Sequence, residues 1–380
     1  MKNLRIAYAV LLIVGLRLLC GCGTGKEAED GNRKIKIVFA VHRDDTGAIK
    51  SITEDFMRRY TDISVKTLTL SDQSTENHRI LSSMMTGNEI PVDIMEVEDI
   101  WMREFTEQGY LRPVMSGVDW NPSEYPDRFS EFLKKNGECY GIPFELDTGM
   151  MYYQKESVYG KLDFAEILQN NNIKYFLNEN DGEDRVCTVM ECIRLSGDVS
   201  KGIKLYKDLY NAASNRSQSP AESFGGGDAA YMRGWSSFNN QLHMEMDSGR
   251  KNIRAAALSS NGKNYATARL YCLAVNAQMD KEKEEAAAKL LNFMLEENTQ
   301  LEINKKKGTI PLKYKFYNNP VVLDYNEFNE ELGSCLNNLN YRVLCSDYTQ
   351  LSKEAQEELE GVLSGGSDEA AAEKIKLLME

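Results

Sequence analysis

Apolar positions along the chain change period in an orderly way. Residues 35–41, IKIVFAV, form a β-prone run. In AIKSITEDFMRRY, which follows, Ile49, Ile52, Phe56 and Tyr60 recur at helical spacing, and ISVKTLTL then alternates as a strand does. RILSSMMTGNEIPVDIMEV reads as a helix, a glycine-containing stop and a strand near Asp93–Val97. The next helix, IWMREFTEQGYL, is closed by Gly109, a residue type suited to the left-handed conformation that ends helices. Strand–helix repeated three times predicts a parallel α/β sheet, in which ligands sit at the carboxyl ends of the strands. That rule singles out His42–Asp45, Ser71–Gln73 and Glu98–Trp101.

Further on, GECYGIPFELDTGMMYYQKESV (137–158) reads as an extended stretch. Residues 176–264 are polar and irregular, with helical pieces at 187–195 and 201–212 and a Gly-rich segment, FGGGDAAYMRGWSS. From 265, the strand YATARLYCLAV leads into one long helix, DKEKEEAAAKLLNFMLEENTQLEINKKK. A turn with Pro311 and Pro320 follows, and the C-terminus is helical and acidic, its last two helices separated by GGS. There is no internal repeat and no low-complexity tract.

The first residues have a different character. Lys2 and Arg5 precede an almost wholly apolar stretch, 6–16, which Arg17 interrupts before the sequence LLCGCGTG. The apolar run is short of the ~20 residues a spanning helix needs. A basic start, a short apolar centre and small residues at a cut point describe an export signal. The tetrad Leu19-Cys20-Gly21-Cys22 resembles the lipobox of bacterial lipoproteins, which implies cleavage before Cys22 and a diacylglyceryl group on its sulfur. Acyl chains contribute ~0.8 kcal/mol per buried methylene, enough for a pair of them to hold a soluble domain at a membrane surface.

Charge narrows the choice of partners. Removing residues 1–22 takes away three basic and no acidic residues, leaving 42 Lys and Arg against 58 Asp and Glu. Such an acidic chain does not suit nucleic acid, whose phosphates reward basic surfaces, nor a peripheral grip on anionic lipid. Besides Cys20 and Cys22 there are six cysteines, at 139, 187, 192, 272, 335 and 345, whose spacings match no metal or redox motif. Cys335 and Cys345 are candidates to staple two segments; buried free thiols are the simpler reading. No cofactor and no metal site is implied.

At this point the order of pieces is informative. VDIMEVEDIWMREFTEQGYLRPV resembles a strand–helix of the extracellular solute-binding proteins that feed sugar ABC importers, and CYGIPFELDTGMMYYQKES resembles that family's crossover segment. FGGGDAAYMRGW is similar to its Gly-x-x-Ala-x-x-x-x-Trp element, and the segments from 289 to 320 and from 346 to 375 match its late helices. The chain departs from the pattern where Arg269-Leu270-Tyr271 replaces a pair of glycines, where Arg342-Val343 replaces Arg-Pro, and where no tryptophan starts a helix after the Tyr-Tyr crossover. The resemblance implies an α/β, two-lobed periplasmic-binding-protein-like fold, each lobe a mixed or parallel sheet with flanking helices. It also implies an organisation: signal peptide 1–21, lipidated tether 22–34, lobe 1 from 35–145 plus 275–312, and lobe 2 from 146–274 plus 313–380. The second lobe reads as short for the family.

Which residues suit a sugar? Carboxylates accept hydroxyl protons without competing as donors, and aromatic faces cover the C–H side. Glu145 and Asp147, at i and i+2 of an extended stretch, share one face about 7 Å apart; they are either a hydroxyl-acceptor pair or a solvated strand edge. Asp99 follows a strand directly, as a ligand group or as a helix cap. Trp101 suits stacking or the core equally. Trp235, in a Gly-rich polar neighbourhood, is poorly explained by burial and suits a stacking platform. Arg233 beside it is placed to hold a carboxylate of the solute or of the other lobe. Tyr271 and His42 are weaker candidates.

The leading expectation is therefore a lipid-anchored, monomeric binding protein on the outer face of the cell membrane, closing on a sugar or oligosaccharide and presenting it to ABC permease subunits. A non-transporting receptor that reports the sugar to a sensor shares the fold. A surface glycoside hydrolase using Glu145 and Asp147 fits the carboxylate spacing of such enzymes, but three histidines and no nucleophile motif give it little further support.

Overall fold

Strand β1, Ile35–Val41, is exposed at its first two residues and buried from Ile37 onward. The computed structural model describes residues 34–86, 91–157, 163–169, 175–177, 179, 182–212, 224, 226, 229–238, 252–316, 319–320, 322 and 339–380. The export signal, Cys20, Cys22, Cys335, Gly225 and Gly227 lie outside the described residues. Helix α1, Ala48–Arg59, buries Ile49, Ile52 and Phe56, as its periodicity predicts. Asp44 prepares its start by accepting from the Ile49 and Thr46 amides, at 2.8 and 3.1 Å. Next come β2, Ile63–Thr69, and α2, Ser74–Thr86. β3, Ile94–Glu98, is buried at every residue and passes without a loop into α3, Asp99–Glu107. Gly109 takes φ +72°, the left-handed turn expected after that helix.

The informative middle stretch forms one long strand, β4, Ile142–Gln154. After it come β5, Tyr175–Leu177, α4, Gly182–Ser196, and α5, Val199–Ala212. The sheet is completed by β6, Tyr231–Trp235, β7, Ile253–Ala257, and β8, Ala268–Asn276. The expected single helix after β8 is two, α6, Glu284–Leu295, and α7, Glu297–Lys307, because Glu296 turns extended at ψ 141°. The break turns a mostly apolar helix into one that buries only Thr299, Gln300, Ile303 and Asn304. Gln300 returns its side-chain amide to the Met294 carbonyl at 2.6 Å, satisfying an acceptor the break would orphan. Helices α8, Tyr348–Leu363, and α9, Asp368–Leu377, end the chain, with Ser367 of the GGS segment accepting from the Glu369 amide.

The main sheet runs in the order β2-β1-β3-β8-β4-β6-β5. β1 is parallel to both β2 and β3, as expected, whereas β8 and β4 enter antiparallel, so the sheet is mixed. β4 belongs to both halves. Through Thr148 it pairs with β8; from Gly149 it pairs with β6, while β7 lies on its other edge. The apolar core is divided accordingly. One cluster joins β1, α1 and α6 through Phe39, Phe56 and Leu291, and a larger one runs from Trp101 through Met151 and Met190 to Leu359.

Candidate functional site

Strand alternation places a row of polar side chains across the middle of the sheet. Glu96 and Glu98 are two apart on β3, Arg269 and Tyr271 on β8, and Glu145 and Asp147 on β4. Tyr271 lies opposite Glu98 on one side and Glu145 on the other, and Arg269 lies opposite Asp147. These residues therefore share a face where β4 changes partners. All but Tyr271 are buried.

Burial of so many carboxylates requires partners. Glu145 accepts from Lys307, the last residue of α7, at 2.7 Å. Asp147 is held without a cation, by both Ser236 and Ser237 side chains and by the Ser237 amide at 3.0 Å. Arg342, in the loop before α8, is fully buried; its Nη1 reaches Glu98 at 2.6 Å and Glu183 at 3.0 Å, and its Nη2 reaches Asp99 at 2.6 Å. Glu183 begins α4, so one guanidinium joins the carboxyl end of β3 to a helix packed on the other half of the sheet. Arg269 donates to Asp184 and lies 3.6 Å from Glu98. Arg233 makes a two-pronged pair with Glu191, at 2.9 and 3.0 Å. Gly149 leaves room for that pair: a methyl group there would meet the Glu191 carboxylate, with Arg233 Nη2 only 3.1 Å away.

The candidates fall into two connected groups. His42, Trp101 and Tyr271 form a ring cluster at the β1 and β3 ends, with His42 centred 4.6 Å from Tyr271 and 6.3 Å from Trp101. Trp101 is 1% exposed and belongs to the core cluster. On the far side, Trp235 has two guanidiniums at its ring, Arg233 at 4.3 Å and Arg269 at 4.0 Å from the ring centre, and its Nε1 donates to Asp184 at 2.8 Å. Asp99 opens α3 and pairs with Arg342 rather than accepting a cap hydrogen bond. Reading from sequence did not single out Lys307, Glu96, Glu183, Asp184, Glu191, Arg269 or Arg342 as site groups. Glu96 inside IMEVE and Glu191 inside VMECI carried a usable signal, since an acid within an apolar run is informative in a way an exposed one is not.

Several buried polar atoms have no hydrogen-bond partner, among them both ring nitrogens of His42, Glu96 Oε1 and Asp99 Oδ2. The carboxyls divide electrostatically. Burial alone would raise Glu96 and Glu98, but Lys307 and His42 around the first, and Arg342 and Arg269 around the second, hold both down at about 2. Asp99 goes the other way, to about 6, because burial and then the Glu98 charge outweigh Arg342. Glu145 is likewise raised, to about 8, burial and Glu96 prevailing over Lys307.

Asp99 thus holds its proton more tightly folded than unfolded. Its contribution to stability is full below pH 3.8 and lost as pH rises through about 6. Glu96 and Glu98 contribute above 4.5 and lose that contribution as pH falls toward about 2. Asp99→Asn removes only the first limb. The wild type is therefore expected to lose roughly 3 kcal/mol relative to the variant between pH 4 and pH 7. Urea midpoints of the two proteins measured across that range should separate; curves that stay parallel would refute the assignment.

Residues 51–330 match the family model of bacterial extracellular solute-binding proteins, and the chain belongs to that family. The fold is the two-lobed one of periplasmic binding proteins, the overall likeness being to solved structures of that class. Maltose-bound MalE3 of T. maritima superposes with a TM-score of 0.80 at 21% identity, over 90% of this chain and 99% of that one. The GacH receptor of Streptomyces glaucescens, solved unliganded and with acarbose, gives 0.76 at 17% identity, over 90% and 97%. UgpB from Mycobacterium tuberculosis with glycerophosphocholine gives 0.72 at 15% identity, over 91% and 96%. Among the described residues no helix is long and apolar enough to cross a membrane.

Proposed function

We propose that this chain is a lipid-anchored solute-binding protein that takes a sugar or polyol between its lobes and delivers it to an ABC importer. The observation that carries this reading is the polar face at the junction of the two sheet halves. Glu96, Tyr271 and Glu145 lie beside the His42 and Trp101 rings there, and buried polar atoms still lack partners. Carboxylate and ring together suit a polyhydroxylated molecule with an apolar face. Maltose, acarbose and glycerophosphocholine, carried by the similar structures, support the class of solute. We assign lobe 1 to β1–β3 and lobe 2 to β5–β7, moving β8 from the expected lobe 2 to lobe 1 because it pairs with β3, with the hinge where β4 exchanges β8 for β6.

Binding rather than hydrolysis is favoured by how the two β4 carboxylates are engaged. Asp147 is taken up by two serines, which leaves Glu145 without a second free carboxylate on β4 to complete the pair a glycosidase uses. The address segment assigns the membrane attachment to Cys22.

Two measurements test the reading. In a thermal-shift screen of sugars, polyols, amino acids and peptides, a solute at a hundred times its Kd adds ~2.7 kcal/mol of stability. A shift confined to sugars or polyols is expected, and one confined to peptides or amino acids would overturn the solute class. In a bacterial host, Cys22→Ser is expected to abolish labelling by a radioactive fatty acid. Label retained on the variant would refute the anchor.

A further inference from the structure

The four carboxylates on the shared face are not equally satisfied. Glu98 accepts from Arg342 and, at 2.6 Å, from the Ser74 hydroxyl. Asp147 is surrounded by serine donors, and Glu145 has Lys307. Glu96 is 1% exposed; its Oε2 accepts the His42 amide at 2.9 Å and lies 3.5 Å from His42 Nδ1, while its Oε1 has no partner among the described residues. Lys307 donates to Glu145 at 2.7 Å and, among the described residues, makes no hydrogen bond to Glu96. Beside them the His42 ring has no hydrogen-bond partner at either nitrogen. His42 keeps 13% of its side chain exposed and Tyr271 is half-buried, whereas Glu96 Oε1 and both His42 ring nitrogens are covered.

A neutral hydroxyl would satisfy one acceptor here but leave the Glu96 carboxylate without a hydrogen-bonded cation. An ammonium does both. It offers three donors, enough for Glu96 Oε1 and an imidazole nitrogen, and its charge is favoured over the face of an aromatic ring. On the solute-binding reading above, we infer that the solute is an amine-bearing sugar or polyol whose protonated amine sits on Glu96 between His42 and Tyr271. Glu96 then fixes the selectivity of the site.

The test compares matched sugars that differ only in the amine. Glucosamine against glucose, and the chitosan disaccharide against cellobiose, are titrated calorimetrically into the full chain in mild detergent. The aminated member of a pair is expected to bind at least tenfold more tightly than its neutral partner. Glu96→Gln, whose amide oxygen can still accept from the His42 amide, is expected to bring the two to equal affinity. Neutral sugars binding as well as aminated ones would overturn the amine while leaving the solute-binding reading intact. Binding of neither kind, with a shift from some other solute, would overturn both. The wild-type comparison decides the question even if Glu96→Gln does not fold.

Discussion

Arg342→Ala is expected to be among the most damaging single changes in the protein, costing ~3–5 kcal/mol. Its guanidinium is fully buried and supplies Glu98, Asp99 and Glu183 at once. Taking it away leaves those carboxylates in a low-dielectric interior without their main counter-charge, and that desolvation, more than the lost attraction, sets the size of the effect. Tyr348 and Ser352 of α8 also donate to Glu183, so the damage extends to the packing of the C-terminal helices. Arg342→Lys should recover little, because a single ammonium cannot span the divergent pair formed by Glu98 and Asp99. Arg342→Met combined with Asp99→Asn should be less destabilised than the sum of the two, since the second change removes a charge the first orphans. Urea midpoints at constant m-value measure all of these. A loss below about 1 kcal/mol for Arg342→Ala would mean that water or rearrangement screens the cluster, and that Arg342 does not hold the two halves of the sheet together.

The order of strands and helices in the first hundred residues could be read from periodicity because each element there has one buried face. Ile49, Ile52 and Phe56 mark α1 in sequence and are its buried residues in the structure. Breaks were harder to see. Glu296 interrupts α6 and α7 without proline or glycine, and what stabilises the break, the Gln300 side chain on the Met294 carbonyl, is visible only once the backbone has turned. Partners were the least legible. Glu145 and Lys307 are separated by 162 residues, and Arg342 and Glu98 by 244. No local pattern tells which cation meets which acid; the crossing of β4 between the two halves of the sheet decides it. Residue type still carried information, because Arg269 stands where a glycine was expected and brings a guanidinium to Asp184 and to the Trp235 ring.

Trp235→Ala is expected to cost ~3–5 kcal/mol, the range for emptying a large aromatic site in a core. From sequence the ring looked too poorly surrounded to be explained by packing. In the structure it is 4% exposed, and its company is ionic rather than apolar: Arg233 and Arg269 lie 4.3 and 4.0 Å from the ring centre, and Nε1 donates to Asp184. Each cation–π contact adds ~0.5–2 kcal/mol in such a desolvated setting. With two guanidiniums at 4.0 and 4.3 Å from its centre, the ring has little face left for a solute unless one arginine gives up its carboxylate partner. Trp235→Phe separates the two roles. It retains an aromatic ring beside the guanidiniums but loses the Nε1 donor and three ring atoms, so its stability cost should be about 2–3 kcal/mol. Its solute Kd, measured where wild type and variant are both fully folded, should be unchanged. A tenfold weaker Kd in Trp235→Phe with an unaltered unfolding midpoint would instead put the indole against the solute, and would mean that Arg233 or Arg269 swings away when the cleft fills.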